Sequence, residues 1–248
     1  MAPLQRWIRR GRGAVTTPRQ YPPDFDGPTV ALIERVRSYT MTSPERLWAL
    51  IHAVDHLVRH EIRGDYVECG VWRGGSSMAA ALALIARQDT ARTLHLYDTF
   101  EGMTAPTAYD RSLGGDSAET LLASEARSPD SPTWCVADEA DVRRNLASTG
   151  YPGSRIRFVR GPVEQTLPDP ALGPIALLRL DTDWYASTRH ELDHLYPLLV
   201  PGGVLIIDDY GHWEGARRAV DEYLSRHQLP LFLQRIDYTG RMAIKPAV

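Results

Sequence analysis

Cysteine is scarce: only Cys69 and Cys135 occur in 248 residues. Two are too few for a disulfide framework and suit a reducing compartment. No apolar run approaches the ~20 residues that span a bilayer. The opening MAPLQRWIRRGRG has no long apolar core behind its basic residues, so it does not read as a secretion signal. Basic charge is not in surplus either. Lys plus Arg is 28 and Asp plus Glu is 31, a net charge of −3, which removes the electrostatic case for a dedicated nucleic-acid binder. No repeat appears at solenoid periods. What remains, at 43% hydrophobic and 24% charged residues, is one globular domain expected in the cytoplasm.

The first stretch stands apart. Residues 1–20 carry five Arg and no acid, and Tyr21-Pro22-Pro23 and Gly27-Pro28 follow. We read residues 1–28 as an N-terminal arm and residues 29–248 as the domain proper. TVALIERVRSYT predicts a helix, and Ser43-Pro44-Glu45 opens a second one through about Arg59. There Ser43 is the N-cap and Pro44 the first helical residue. Strands and helices then alternate. DYVECGV, TLHLYDTF, RIRFVRG, IALLRLDTD and GGVLIIDDY read as strands, the last two nearly continuous apolar runs suited to burial on both faces. SSMAAALALIARQ, with Ser76 placed to cap it, a segment from about Ser187 to Leu199, and GARRAVDEYLSRH read as helices. Pro201-Gly202-Gly203 reads as a breaker, and LFLQRID with RMAIKP as a closing antiparallel hairpin. The alternation predicts an α/β fold with a doubly wound, mostly parallel sheet. Residues 102–150 exceed any ordinary αβ connection and read as an inserted lid.

In such sheets ligands lie beyond the carboxyl ends of the strands. Glu68-Cys69-Gly70-Val71-Trp72-Arg73-Gly74-Gly75-Ser76 runs from the first strand into a helix. Gly70 and Gly74 let the backbone pass close to a ligand, and the helix start offers free N–H groups. The phosphate fingerprint G-x-G-x-x-G is missing. An acid before the glycines repels phosphate and welcomes the ammonium of an amino-acid moiety. Asp98, at the next strand end, is suited to ribose hydroxyls. Together they point to S-adenosylmethionine as cofactor.

Asp181-Thr182-Asp183 closes one core strand and Asp208-Asp209 the next. Adjacent parallel strands lie about 5 Å apart, so both clusters open at one rim. Crowded carboxylates repel unless a cation sits between them. Oxygen donors suit Mg²⁺ rather than zinc. Asp181 and Asp183, two apart, point the same way in an extended chain, so one can hold the metal while the other faces a substrate proton. His190 and His194 have no completing ligand and read as a helix face. His212 is a candidate for the substrate pocket. Cys69 reads as a packed strand residue.

Several segments resemble the macrocin O-methyltransferase family: YTMTSPERL, DYVECGVWRGGSS, LYDTFEGM, LLRLDTDWYAST, PGGVLIIDDYG and GARRAVDEY. The resemblance covers roughly residues 36–225 and extends to the mycinamicin and novobiocin-pathway sugar methyltransferases. It implies the class I S-adenosylmethionine methyltransferase fold, a Rossmann-like sheet of seven strands in the order 3-2-1-4-5-7-6. It also implies Mg²⁺-dependent methylation of a hydroxyl on a deoxysugar or glycosylated natural product, and a homodimer or higher homo-oligomer. By motif it places Glu68, Gly70 and Ser76 around the methionine portion of the cofactor and Asp98 at the ribose. Thr40 and Met41 complete that pocket, with Gly74 and Gly161 as further cofactor-binding candidates. Asp181, Asp208 and Asp209 match the metal ligands and Asp183 the base. Two other readings stay open: an O-methyltransferase of a non-sugar diol or catechol-like acceptor, and a non-catalytic cofactor-binding relative.

Overall fold

The computed structural model describes residues 21–247. The N-terminal arm expected over residues 1–28 lies largely outside them, and its last residues, Gly27 and Pro28, open the first helix. Helix α1 (Gly27–Val36) starts behind Asp26, whose carboxylate accepts the Thr29 N–H at 2.8 Å. Helix α2 (Pro44–Arg59) starts behind Ser43, whose Oγ accepts the Arg46 N–H at 3.1 Å. A side-chain acceptor at that position satisfies an otherwise orphaned donor. Leu47, Leu50, Ile51, Val54 and Leu57 bury one face of α2, at the predicted helical spacing.

The remaining elements follow in chain order. Strand β1 (Asp65–Cys69), helix α3 (Gly75–Ala86) and strand β2 (Leu94–Asp98) form the first half. The segment over residues 102–150 contains α4 (Ala118–Ser124) and α5 (Glu139–Ala147). Then come β3 (Ile156–Arg160), the short α6 (Val163–Thr166), β4 (Ile175–Leu180) and α7 (Tyr185–Leu195). Strand β5 (Leu199–Ile207), α8 (Glu214–Arg226), β6 (Gln234–Arg235) and β7 (Arg241–Ile244) close the chain.

The seven strands form one sheet in the order β3-β2-β1-β4-β5-β7-β6, as the resemblance implied. The first five are parallel; β7 runs antiparallel to β5, and β6 to β7. All six residues of β4 are buried, as a strand covered on both faces should be. Each fully enclosed Leu or Ile there contributes roughly 1.5–3 kcal/mol. Two buried charged residues, Glu68 of β1 and Arg179 of β4, are direct partners in the β1–β4 register. Among the described residues no helix is long and apolar enough to cross a membrane.

Three local expectations are corrected. Gly74, in a left-handed conformation at φ 88°, is the N-cap of α3, so Ser76 lies inside the helix and does not cap it. Helix α7 starts earlier than expected, at Tyr185, and gives way at Tyr196–Leu198 to a 3-10 turn. Pro201-Gly202-Gly203 does not end an element but lies within β5. The pairing with β4 slips there, from Ile175–Leu199 to Leu177–Val204, so the sheet absorbs the breaker as a bulge.

Candidate active site

The carboxyl ends of β1, β2, β4 and β5 surround a cavity of about 500 Å³. Its walls gather Thr40, Met41, Gly70, Ser76, Asp98 and Gly161 from the cofactor candidates. They also gather Asp181, Asp183, Asp208 and Asp209 from the rim. The two groups thus line one cavity.

On the glycine-loop side, Asp98 organises the backbone. Its Oδ2 accepts the Val71 and Trp72 N–H groups at 2.6 and 3.0 Å, and its Oδ1 accepts the Phe100 N–H at 2.7 Å. Burial pushes its acid up, and the three N–H groups pull it partly back. Gly70 adopts φ 81°, and a side chain there would run into the Asp181 carbonyl. The absent Cβ is what lets the end of β1 touch the end of β4. The Thr42 and Ser76 hydroxyls lie 3.4 Å apart where the residues before α2 meet α3.

Two cofactor candidates lie off the cavity wall. Gly74 faces Leu146 and Val142 of α5. Glu68 is fully buried behind the wall and does not face an incoming ammonium. Its carboxylate accepts from Tyr66 OH at 2.8 Å, from Ser77 Oγ, and from Arg179 Nη1 at 2.6 Å. The sequence reading lacked its partner. Arg179 sits in a run read as apolar, yet a buried carboxylate and a buried guanidinium in register must pair.

Arg179 also reaches the rim. Its Nη1 lies 2.7 Å from Asp181 Oδ2 and its Nη2 2.8 Å from Asp208 Oδ1. Arg46 of α2 pairs with the other oxygen of Asp208 and, at 3.1 Å, with Asp237. Neither arginine was singled out in the sequence, although a charge inside LLRLD is itself a signal. The rim still holds more negative charge than these two cations offset. Burial and the neighbouring carboxylates raise Asp181 and Asp209 well above the usual range, and raise Asp183 to about 7. Asp183 faces Asp209 across the rim. It does so from a left-handed backbone, φ 67°, beyond the last residue of β4. The two-residue alternation assumed for Asp181 and Asp183 therefore does not apply, although both acids line the cavity.

Asp181, Asp208 and Asp209 each offer an oxygen within 4.8 Å of the others. Asp209 Oδ2 is buried and has no hydrogen-bond partner among the described residues. An all-oxygen donor set with an unpartnered buried carboxylate oxygen fits a hard divalent cation such as Mg²⁺. His190 and His194 stack on each other on α7, away from the rim, and His190 meets the Leu167 carbonyl at 3.2 Å. His212 does line the cavity, 3.4 Å from Tyr238 OH, and burial lowers its pKa. Cys69 is fully buried in β1, as expected.

The chain was compared with known proteins on this basis. A family model described as Macrocin-O-methyltransferase (TylF) matches residues 26–244. The 8-demethyl-8-(2,3-dimethoxy-alpha-L-rhamnosyl)-tetracenomycin-C 4'-O-methyltransferase of Streptomyces olivaceus is 35% identical over 239 residues, covering 96% of this chain and 84% of that protein. The Mycinamicin III 3''-O-methyltransferase of Micromonospora griseorubida is 36% identical over 215 residues, covering 87% and 79%. The solved structure of the O-methyltransferase NovP is similar with a TM-score of 0.74 at 30% identity, covering 84% of this chain and 83% of that one.

Proposed function

The chain belongs to the macrocin-O-methyltransferase family, and from that premise we propose that it methylates a hydroxyl of a deoxysugar or glycosylated natural product, with S-adenosylmethionine as donor and Mg²⁺ as metal. The carrying observation is that Asp183 shares one cavity with the Asp98 wall on one side and with Asp181, Asp208 and Asp209 on the other. The methionine and ribose portions of the donor would lie along Thr40, Met41, Gly70, Ser76, Asp98 and Gly161. Glu68 acts at one remove, by fixing Arg179.

Asp181, Asp208 and Asp209 would hold the metal, which, when bound, makes a neighbouring hydroxyl more acidic. Asp183 takes the proton of the acceptor hydroxyl. Its carboxyl, raised to about 7, is a stronger base than a solvated aspartate and works near neutral pH. S-adenosylmethionine, when bound, would supply the methyl group to the acceptor oxygen and keep the electron pair of the broken carbon–sulfur bond as S-adenosylhomocysteine. Asp183 keeps the acceptor's proton. The walls supply the alignment, which is where most of the acceleration in such a transfer resides.

The test is methyl transfer from labelled donor to a panel of glycosides and catechols, in EDTA and after Mg²⁺ is restored. We expect glycoside methylation that EDTA removes and Mg²⁺ returns. Asp183→Asn should lower kcat by about 10²–10⁴-fold while S-adenosylhomocysteine still binds. Full turnover in EDTA removes the metal, transfer to catechols alone removes the sugar, and an active Asp183→Asn removes the base.

A further inference from the structure

The acid rim is not held by its own strands alone. Asp183 and Trp184 form the turn from β4 into α7, and α7 has no capping side chain from its own sequence. The first N–H of the helix, that of Tyr185, is instead accepted by Asp110 Oδ1 at 2.7 Å. Asp110 belongs to the lid, 75 residues earlier, and is 1% exposed. Its Oδ2 accepts the Thr107 N–H at 2.6 Å and the Thr107 hydroxyl at 2.8 Å. A buried carboxylate with both oxygens bonded is a fixed object.

The same segment grips the second acid-bearing turn. The Glu214 N–H, at the start of α8, donates to the Arg111 carbonyl at 2.9 Å, and Ser112 bridges to Trp213. Gly215 then presses its bare Cα face on Asp110, where any side chain would collide with Oδ1. Trp184 completes the clamp: its indole donates to the Thr104 carbonyl at 3.1 Å and meets Trp213 edge to face at 4.8 Å.

We propose that Asp110 is a positioning residue, a lid carboxylate that caps α7 and, wedged against Gly215 of α8, fixes the turn presenting Asp183. The inference rests on Asp183 being the base. Asp110 does not line the cavity and touches no reacting group; it acts through the backbone of Tyr185. Removing it leaves the cofactor wall intact and lets the Asp183 turn wander.

The test uses the full chain. Asp110→Ala should lower kcat on the order of 10²-fold, the effect of misplacing a reacting group by about 1 Å. Binding of S-adenosylhomocysteine should stay within about twofold, since a loss confined to kcat marks an interaction made on the way to the transition state. Asp110→Asn keeps an acceptor for Tyr185 and should recover part of the loss. Gly215→Ala, which pushes Asp110 away from the opposite side, should behave like Asp110→Ala. Hydrogen exchange judges the anchor without turnover: a peptide spanning residues 183–188 should exchange faster in Asp110→Ala, while one over residues 68–76 does not change. Unchanged exchange at 183–188, or parental kcat in Asp110→Ala, overturns the proposal. An active Asp183→Asn would instead remove the base and leave the exchange result to decide the anchor.

Discussion

On the glycine-loop wall of the cavity, Asp98 gives its oxygens to three backbone N–H groups, and Glu68 is enclosed by Tyr66, Ser77 and Arg179. On the rim, four aspartates share Arg46 and part of Arg179, and one oxygen of Asp209 has no partner among the described residues. Both walls carry buried acids at strand ends, so burial alone does not separate them. The difference lies in what satisfies the charge. The first wall is closed by its own backbone and side chains, as a binding surface must be if it is to be rigid before its ligand arrives. The second retains surplus negative charge, and Asp181 and Asp209 are pushed up further than Asp98 and Glu68, which makes it responsive to a cation and to pH. Arg179 joins the two, with Glu68 on one hand and Asp181 and Asp208 on the other.

The largest expected effect comes from cutting that joint. Arg179→Met leaves Glu68 buried without a cation and removes one of the rim's two arginines. Losing one partner of a buried ion pair costs about 3–5 kcal/mol. Urea unfolding should show that loss, and Glu68→Gln in the same chain should return part of it, because the stranded carboxylate is then neutral. If Arg179→Met unfolds at the parental midpoint and binds both S-adenosylhomocysteine and Mg²⁺ normally, the two walls are not coupled through this residue.

A smaller change separates the walls. Asp98→Asn replaces a charged acceptor of three N–H groups with a neutral one. Hydrogen bonds to a charged group contribute about 1.5–3 kcal/mol, so S-adenosylhomocysteine should bind roughly 10–100-fold more weakly. Titration calorimetry with Mg²⁺ should give parental affinity in the same variant. Equal weakening of both ligands would merge the two walls into one cooperative site.

How much of this was legible depends on how far apart in sequence the cause and its effect lie. The alternation of strands and helices and the acids at strand ends are local patterns, whereas the strand order was implied by the family resemblance. Glu68 shows the limit. As an acid before glycines it invited an ammonium ligand, but its partner Arg179 lies 111 residues on. The pairing is visible only when β1 is set beside β4, where the two residues are in register. The expected strand order already implied that neighbourhood, so an arginine inside an apolar run was a usable signal. A period-two argument points Asp183 the same way as Asp181, and its left-handed backbone does not obey it. It reaches the cavity because the chain turns sharply there, and Asp110 reaches that turn from the segment between β2 and β3. No periodicity connects residues 110 and 185; they share only a helix N-terminus that lacked a cap of its own.

The smallest expected effect is a dependence on pH to which the rim contributes. Asp183 is raised to about 7 by burial first and by the charges of Asp181 and Asp208 after it. Asp181 and Asp209 are raised as well, and so, outside the rim, are the buried Glu68, Asp98 and Glu191. An unfolded aspartate titrates near 3.9, so between about pH 4 and 7 the folded chain binds more protons than the unfolded one, and stability falls as pH rises. Asp65, Asp141, Asp169 and Asp237, all lowered in the fold, act below that window. His212, lowered by burial and by Arg46, opposes the trend near its own titration, as one group against six. In EDTA, then, Tm should drop as pH is raised from about 5.5 to 8 and, since 1 kcal/mol moves Tm by only about 2–4 °C in a chain this long, the drop should be a few degrees. Asp183→Asn should flatten the slope, because an amide has no proton to lose. Saturating Mg²⁺ at the upper pH should restore the lost stability, whereas S-adenosylhomocysteine should stabilise by a similar amount at both ends. A slope that Mg²⁺ leaves untouched would place it on Glu68, Asp98 and Glu191 and not on the rim, and the contrast between the two walls would disappear.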